Sequence, residues 1–321
     1  MRAERLRKYA AMNDQALLWA LGGLWGLLAG ASLIVFILSR MKPEKNFTEL
    51  IARTQSWWTM IGAFSIALLA SQGIALVFFG IISFLALKEY FSRIPTRRAD
   101  RRVLFWAYLA ILLQYYWVSI AWYGMFIIFI PVYMFLFIAF RMIIAQKTEG
   151  FLHAAATIHW GLMTCVFSIS HAAFLLMLPD TGIWHSTTGA GLLFYLVFLT
   201  QFNDVGQYVW GKLLGKRKVL PVISPNKTWE GLAGGIATTM LTAVLLAPYL
   251  TPFNLQHALL TGLLIGVFGF VGDVSISAIK RDIGIKDFGS LIPGHGGILD
   301  RVDSLTFTIP IFFHYTRYFF Y

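Results

Sequence analysis

Charge is what this sequence has least of: 13% of its 321 residues are charged and 58% are hydrophobic. Soluble domains carry about 25% charged residues, so too few polar side chains remain here to cover a globule in water. That excludes an ordinary soluble enzyme and a disordered chain. The net charge of +11 does not point to nucleic acid, because a nucleic-acid binder needs a solvated basic face. Here the basic residues fall in short clusters between long uncharged runs, and no nucleic-acid partner is expected. Cysteine is nearly absent: Cys165, inside an apolar run, is the single one, which excludes an intrachain disulfide and a zinc-binding framework. A cleavable signal is also missing. The first apolar run exceeds the usual 7–15 residues of a signal core and has no small-residue cleavage site after it, so the first span is expected to stay.

What is there instead is a series of runs without Asp, Glu, Lys or Arg: 15–39, 54–87, 103–140, 151–179, 181–203 and 231–272. A helix crosses a bilayer with about 20 residues. The last of these runs would reach roughly 63 Å as one helix, about twice the hydrocarbon thickness. It must therefore fold back, and the segment from Ala247 through Pro248 to Pro252 is the expected break. The terminal run from Leu305 to Thr316 is shorter, but Arg317 can snorkel. The chain reads as all-α, a polytopic transmembrane helix bundle of nine to ten spans, embedded in membrane lipids. A basic N-terminal segment with an additional helix (1–56) precedes N-terminal transmembrane helices (57–200) and a catalytic transmembrane half (201–321) whose polar site faces the cytoplasm.

Basic clusters set the expected topology. One holds Arg93, Arg97, Arg98, Arg101 and Arg102, a second Lys212, Lys216, Arg217, Lys218 and Lys227, and a third Lys280, Arg281, Lys286 and Arg301. Four spans separate the first two clusters and two separate the second from the third, so all three share one side, read as cytoplasmic. The N-terminus stays open: Arg2, Arg5, Arg7 and Lys8 favour inside, whereas a hairpin at Ser71-Gln72-Gly73 places it outside.

The chain has only 15 acidic residues, and five of them, Asp273, Asp282, Asp287, Asp300 and Asp303, crowd one short window. Asp273 ends a long apolar run, where a charge is costly and needs a partner or a water-filled cavity. Helical spacing puts Asp273, Ser277, Lys280 and Arg281 on one face, a combination suited to a metal-bound phosphate. Pro293-Gly294-His295-Gly296-Gly297 allows tight turns and a backbone anion nest. Asp300 and Asp303 lie three apart at the start of the last span. Hard cations such as Mg²⁺ use one or two carboxylates together with substrate phosphates. A second polar island begins at Asn203-Asp204. It continues to Ser224-Pro225-Asn226-Lys227, read as a helix start with Ser224 as N-cap and Pro225 as first helical residue. Lys227 in a first helical turn would oppose the helix dipole unless an anion is near, which makes it a phosphate-binding candidate.

These residues resemble the phosphatidate cytidylyltransferase (CDP-diacylglycerol synthase) family of bacterial integral membrane enzymes. The shared pattern is Ser277, Lys280-Arg281, Lys286-Asp287, Gly289, Pro293, His295-Gly296-Gly297 and Asp300-Arg301-Val302-Asp303, with Ser224 to Gly231 resembling an earlier block. Gln207 departs from it, standing where the family tends to have Ala. The resemblance implies transfer of CMP from CTP to phosphatidate, giving CDP-diacylglycerol and pyrophosphate, in the bacterial cytoplasmic membrane. It further implies Asp273 and Asp300 as leading Mg²⁺ ligands, with Asp303 and Asp204 in second rank, and leaves room for a monovalent cation such as K⁺ and for a homodimer. Asp273, Asp300, Lys280, Arg281 and His295 are the expected catalytic residues. Lys227, Ser224, Asn226, Ser277, Lys286 and Arg301 are expected to bind nucleotide or lipid phosphate. Two alternatives stand beside this reading: the same chemistry on an isoprenoid-ether or polyprenyl phosphate, and an ion-coupled transporter.

Overall fold

The computed structural model describes the backbone of residues 2–42, 44, 46–97, 100–179 and 189–321, with side chains from Gln15 onward. Lys45, Arg98, Asp180 and His185 lie outside the described residues, as do the side chains of Arg2, Arg5, Arg7 and Lys8. The chain is a bundle of helices. The first four are α1 (Arg2–Met41), α2 (Thr48–Leu69), α3 (Gln72–Arg93) and α4 (Arg101–Ser119). Two rods follow, each interrupted by a π-helical turn: α5 (Tyr123–Ile128) into α6 (Phe135–Ile143), and α7 (Phe151–Gly161) into α8 (Ile169–Leu175). The first π turn contains Pro131, which cannot donate the i→i−4 bond, so the helix widens there. The remainder comprises α9 (Gly189–Leu214), a hairpin of β1 (Lys218–Leu220) and β2 (Ser224–Thr228), α10 (Trp229–Leu250), α11 (Leu255–Asp282), α12 (Leu299–Val302) and α13 (Leu305–Phe320).

Among the described residues, six helices are long and apolar enough to cross a membrane: 15–41, 72–93, 123–143, 151–175, 229–250 and 255–282. Their outer faces carry exposed Leu33, Phe84, Leu136 and Leu241, a surface suited to lipid. The expected breaks are found. Ala70 and Ser71 are extended between α2 and α3, and Thr251 is extended after α10, which runs through Pro248 before stopping. The hairpin is a departure from the all-α expectation.

Side-chain bonds fix which ends lie together. Trp25 Nε1 donates to Ser65 Oγ at 3.2 Å and Trp58 Nε1 to Ser32 Oγ at 2.9 Å, so α1 and α2 run antiparallel. Arg53 Nε, near the start of α2, donates to Gly294 O at 3.1 Å, and Arg93 Nε, at the end of α3, to Phe288 O at 2.9 Å. Arg281 Nε donates to Ile223 O at 3.3 Å. The three basic clusters therefore share one end of the bundle, as their spacing in the chain predicts, and the start of α1 lies at the opposite end.

Close packing in the second half depends on missing side chains. Gly206 of α9 approaches Gly235 of α10, where an added Cβ on Gly235 would meet Gln207 Cγ at 2.4 Å. Gly272 of α11 lies so close to the start of α13 that a Cβ would meet Asp303 O at 2.7 Å. Small residues at such crossings let backbones touch. The consequence here is that Asp273, next to Gly272, is brought beside Asp303.

Candidate active site

The polar end of the bundle is assembled from three helices and two loops. Asn203 of α9 is fully buried: its Nδ2 donates to Gly266 O of α11 at 3.3 Å, and its Oδ1 accepts from Thr239 Oγ1 of α10 at 3.2 Å. This knot ties α9, α10 and α11 together one residue before Asp204. Asp204 Oδ2 accepts from Ser304 Oγ at 3.0 Å, while its Oδ1 is buried without a partner. Asp303 Oδ1 accepts from the Ser304 N–H at 2.8 Å. Burial and the neighbouring carboxylates of Asp273 and Asp204 push the Asp303 carboxyl above the ordinary carboxylate range.

Lys227 Nζ lies 2.6 Å from Asp273 Oδ2 and donates to Gln207 Oε1 at 3.1 Å, with its ammonium 5.1 Å from the centre of the Phe270 ring. Ser277 Oγ donates to Asp273 Oδ1 at 3.2 Å, one turn along α11 as the helical spacing predicts. The next turn carries Lys280, whose Nζ donates to Asp300 Oδ1 at 3.1 Å. Asp300 is buried, and its Oδ2 accepts from the N–H groups of Phe288 and Gly297, each at 2.9 Å. A buried carboxylate with three donors is satisfied rather than costly.

One expectation is corrected. Ser224 is not a helix N-cap and Pro225 is not a first helical residue. Ser224–Thr228 is a strand, paired through Leu220↔Ser224 and Lys218↔Thr228. The helix begins at Trp229, capped by Thr228, whose Oγ1 accepts from the Gly231 N–H at 3.1 Å. A two-stranded hairpin leaves an edge on which Pro is tolerated. The helix-dipole argument for Lys227 therefore lapses, and its ion pair with Asp273 takes its place. Ser224 is half-buried and Asn226 exposed on this strand. Arg281 is turned outward onto Ile223 O and pins the hairpin tip to the end of α11, while Lys286 is exposed.

The loop 283–298 owes its shape to the first half of the chain. His295 N–H donates to Ile292 O at 2.9 Å with Gly294 at φ +72°, the signature of a type II turn with Pro293 at its second position. Glu89 of α3 accepts from the N–H groups of Ile298 and Leu299, both at 2.9 Å. Ser56 Oγ donates to Pro293 O at 2.7 Å. The His295 ring meets Trp57 edge-on at 5.8 Å, and its Nδ1 is buried without a partner, as is Nε of Arg301. Burial and the nearby Arg301 and Arg53 hold His295 below its ordinary range, so it is neutral near pH 7. Sequence reasoning missed Glu89, Arg53, Arg93 and Ser56. The only signal for Glu89 was a lone carboxylate at the end of an otherwise apolar run. The remaining described histidines stay outside the site: His171 Nε2, for example, meets His314 Nε2 at 3.2 Å in the bundle.

Among the described residues, no group of three or more His, Cys, Asp or Glu side chains is gathered closely enough to hold a metal ion unaided. The donor chemistry nonetheless fits a hard cation. The side chains are carboxylates, Asp204 offers an unpartnered oxygen, and Asp273 and Asp300 each already hold one ammonium. Mg²⁺ takes such oxygens one or two at a time and completes its shell with phosphates and water.

Residues 51–319 match the family described as "Cytidylyltransferase family". The chain is 46% identical over 299 residues, 93% of its length, to "Uncharacterized protein YnbB" of Escherichia coli (strain K12), covering 98% of that protein. It is 39% identical over 153 residues to the "Phosphatidate cytidylyltransferase" of Staphylococcus haemolyticus and 40% over 154 residues to that of Staphylococcus aureus (strain COL). Those two matches span 45% of this chain and 59% of each relative. With the match running across four-fifths of the chain and taking in Asp204, Lys227, Asp273, Lys280, Asp300 and Asp303, this protein belongs to the cytidylyltransferase family.

Proposed function

We propose that the protein transfers CMP from CTP to a lipid phosphate, phosphatidate, at the cytoplasmic face of the membrane. The observation that carries the reading is the geometry of the polar end. Lys227 pairs with Asp273, the carboxylates of Asp204, Asp273 and Asp303 lie close enough to repel one another, and the Lys280–Asp300 pair sits two turns further along α11, all within the family-matched span.

An oxygen of the lipid phosphate attacks the α-phosphorus of CTP. The bond from that phosphorus to the β-phosphate bridging oxygen breaks, and pyrophosphate leaves with the electron pair. The nucleophile is already ionised, so the chain's task is to bring two polyanions together. Lys227 and Lys280 move from carboxylate to phosphate oxygens. Arg301 binds lipid phosphate through its unpartnered Nε, and neutral His295 donates to a phosphate oxygen. Asp273 and Asp300, supported by Asp204 and Asp303, would hold Mg²⁺, which when bound would supply positive charge for the triphosphate and the leaving group; the same oxygens would suit a monovalent cation such as K⁺. The bundle crosses the membrane nine or ten times. With the basic end inside, the start of α1 lies outside.

The test uses the purified full chain with labelled CTP, phosphatidate and Mg²⁺. The expected product is labelled CDP-diacylglycerol with stoichiometric pyrophosphate. If no lipid phosphate tested, isoprenoid-ether and polyprenyl phosphates included, yields a CDP-lipid, the reading fails.

A further inference from the structure

A cavity of about 450 Å³ opens beside the site, within the range of roughly 300–1,000 Å³ typical of small-molecule pockets. Its walls are almost wholly apolar and come from α1, α2, α3, α8, α9 and α13. Few of its lining side chains are polar: Thr59, Gln201, Arg301 and Ser56, the last beside the Ile292-Pro293 turn at its mouth. Ser56 and Pro293 are hydrogen-bonded to each other, so the mouth lies at the site end of the bundle. The walls then descend along α2 from Ser56 to Phe64, eight residues or roughly 12 Å at 1.5 Å per residue. The end of that descent is lined by Phe64, Phe194 and Ile169. A dry apolar shaft beneath a cation is built for an anionic amphiphile and not for a nucleotide, which would bring hydroxyls and a base into it unpaired.

Two further observations bear on the occupant. Arg301 lines the cavity and also keeps its Nε buried without a partner, and an unsatisfied guanidinium N–H at the neck of an apolar shaft calls for an anion there. His295, whose Nδ1 is also unpartnered, packs edge-on against Trp57 of the cavity wall. The lining also excludes a purely catalytic role for the first helices, since Leu24 of α1 and a run of α2 residues face the shaft rather than the carboxylates.

We propose that this cavity seats one acyl chain of the lipid phosphate substrate, with Arg301 at its neck holding the phosphate, and that α1 and α2 set which chains fit. This rests on the lipid phosphate reading above. It places the lipid on the α2/α13 side of Asp300 and leaves the Lys227–Asp273 side to the nucleotide.

The test has two arms. The wild-type chain in phosphatidylcholine nanodiscs is photolabelled with phosphatidate carrying a diazirine along one acyl chain. Labelling is expected on peptides spanning 57–64 and 194–201, competed by excess dioleoyl phosphatidate and not by dioleoyl phosphatidylcholine. Label elsewhere, or equal competition by both lipids, overturns the proposal. In the second arm Ala63→Phe, which pushes a ring into the shaft, is expected to raise KM for dioleoyl phosphatidate about tenfold by displacing some two methylenes. KM for dihexanoyl phosphatidate and for CTP should stay unchanged. A variant that folds and treats long and short chains like wild type also overturns it. If wild type forms no CDP-lipid at all, the reaction assignment has failed, and the photolabelling arm still decides the cavity by itself.

Discussion

Glu89 offers a sharp way to test how the site is held. Its carboxylate, on α3, receives two backbone N–H groups at 2.9 Å from the start of α12. Gly289 and Gly297 close around it so tightly that a Cβ on Gly297 would meet Glu89 Oε2 at 2.3 Å. The substitution Glu89→Gln is nearly isosteric. It keeps one acceptor oxygen and turns the other into an NH₂ facing an N–H. One charge-assisted bond is lost and one donor is left unsatisfied, a cost of about 1–3 kcal/mol for the local opening of the loop. Converted at 1.4 kcal/mol per factor of ten, that is roughly a 5- to 150-fold faster opening equilibrium. Hydrogen exchange by mass spectrometry on the detergent-solubilised protein reads it directly in the peptide covering 286–299. Exchange in that peptide should accelerate while the α9–α11 core stays protected. Turnover should fall with it, because the same loop supplies the Phe288 and Gly297 N–H groups that orient Asp300. Unchanged protection of 286–299 together with unchanged turnover would refute the clamp.

Further outcomes follow from the same geometry. Asp273→Asn should abolish CMP transfer with little change in detergent stability, because Asn still accepts from Ser277 Oγ; near-normal turnover in this variant would remove Asp273 from the cation set. Lys227→Ala should raise the KM for CTP at least tenfold and leave that for phosphatidate unchanged, measured by varying each substrate in turn. Gly297→Ala should lose most activity, since its Cβ collides with the Glu89 carboxylate; near-normal turnover of this variant would refute the close approach. Chelation with EDTA should stop transfer, and Mg²⁺ should restore it where Ca²⁺, with its longer bonds and larger shell, restores it poorly.

Much of this was legible in the chain before any tertiary contact was known. The absence of charge over the long runs forces helices, because in lipid each backbone group must be satisfied within its own segment. The turns at Ser71 and Thr251 follow from Gly and Pro placement. Of the stripe Asp273, Ser277, Lys280 and Arg281 expected from helical period, Ser277 bonds Asp273 and Lys280 bonds Asp300, while Arg281 turns away onto Ile223 O. Misreadings arose where local signals were ambiguous. Ser224-Pro225 reads as a helix start, but pairing with the neighbouring strand Lys218–Leu220 made it a strand, since cross-strand contacts outweigh a cap preference of about 1 kcal/mol. The open question of the N-terminus set its basic residues against the hairpin at Ser71-Gln72-Gly73, and the bond from Arg53 to Gly294 decided which end of the bundle α2 begins at.

The sequence by itself determined the material of the protein: apolar helices, one polar end, and the cluster of carboxylates and basic residues gathered there, all set by composition, period and short-range spacing. The tertiary structure decided who partners whom. Lys227 reaches Asp273 across 46 positions of chain, and Glu89 holds amides more than 200 residues away. Such pairings depend on how helices cross, and crossing is set by small contact residues such as Gly235 and Gly272, whose effect cannot be read until their partners are in place. The first half of the chain, which looks like anchoring alone, thereby becomes the frame that holds the reactive loop and walls the cavity beside it.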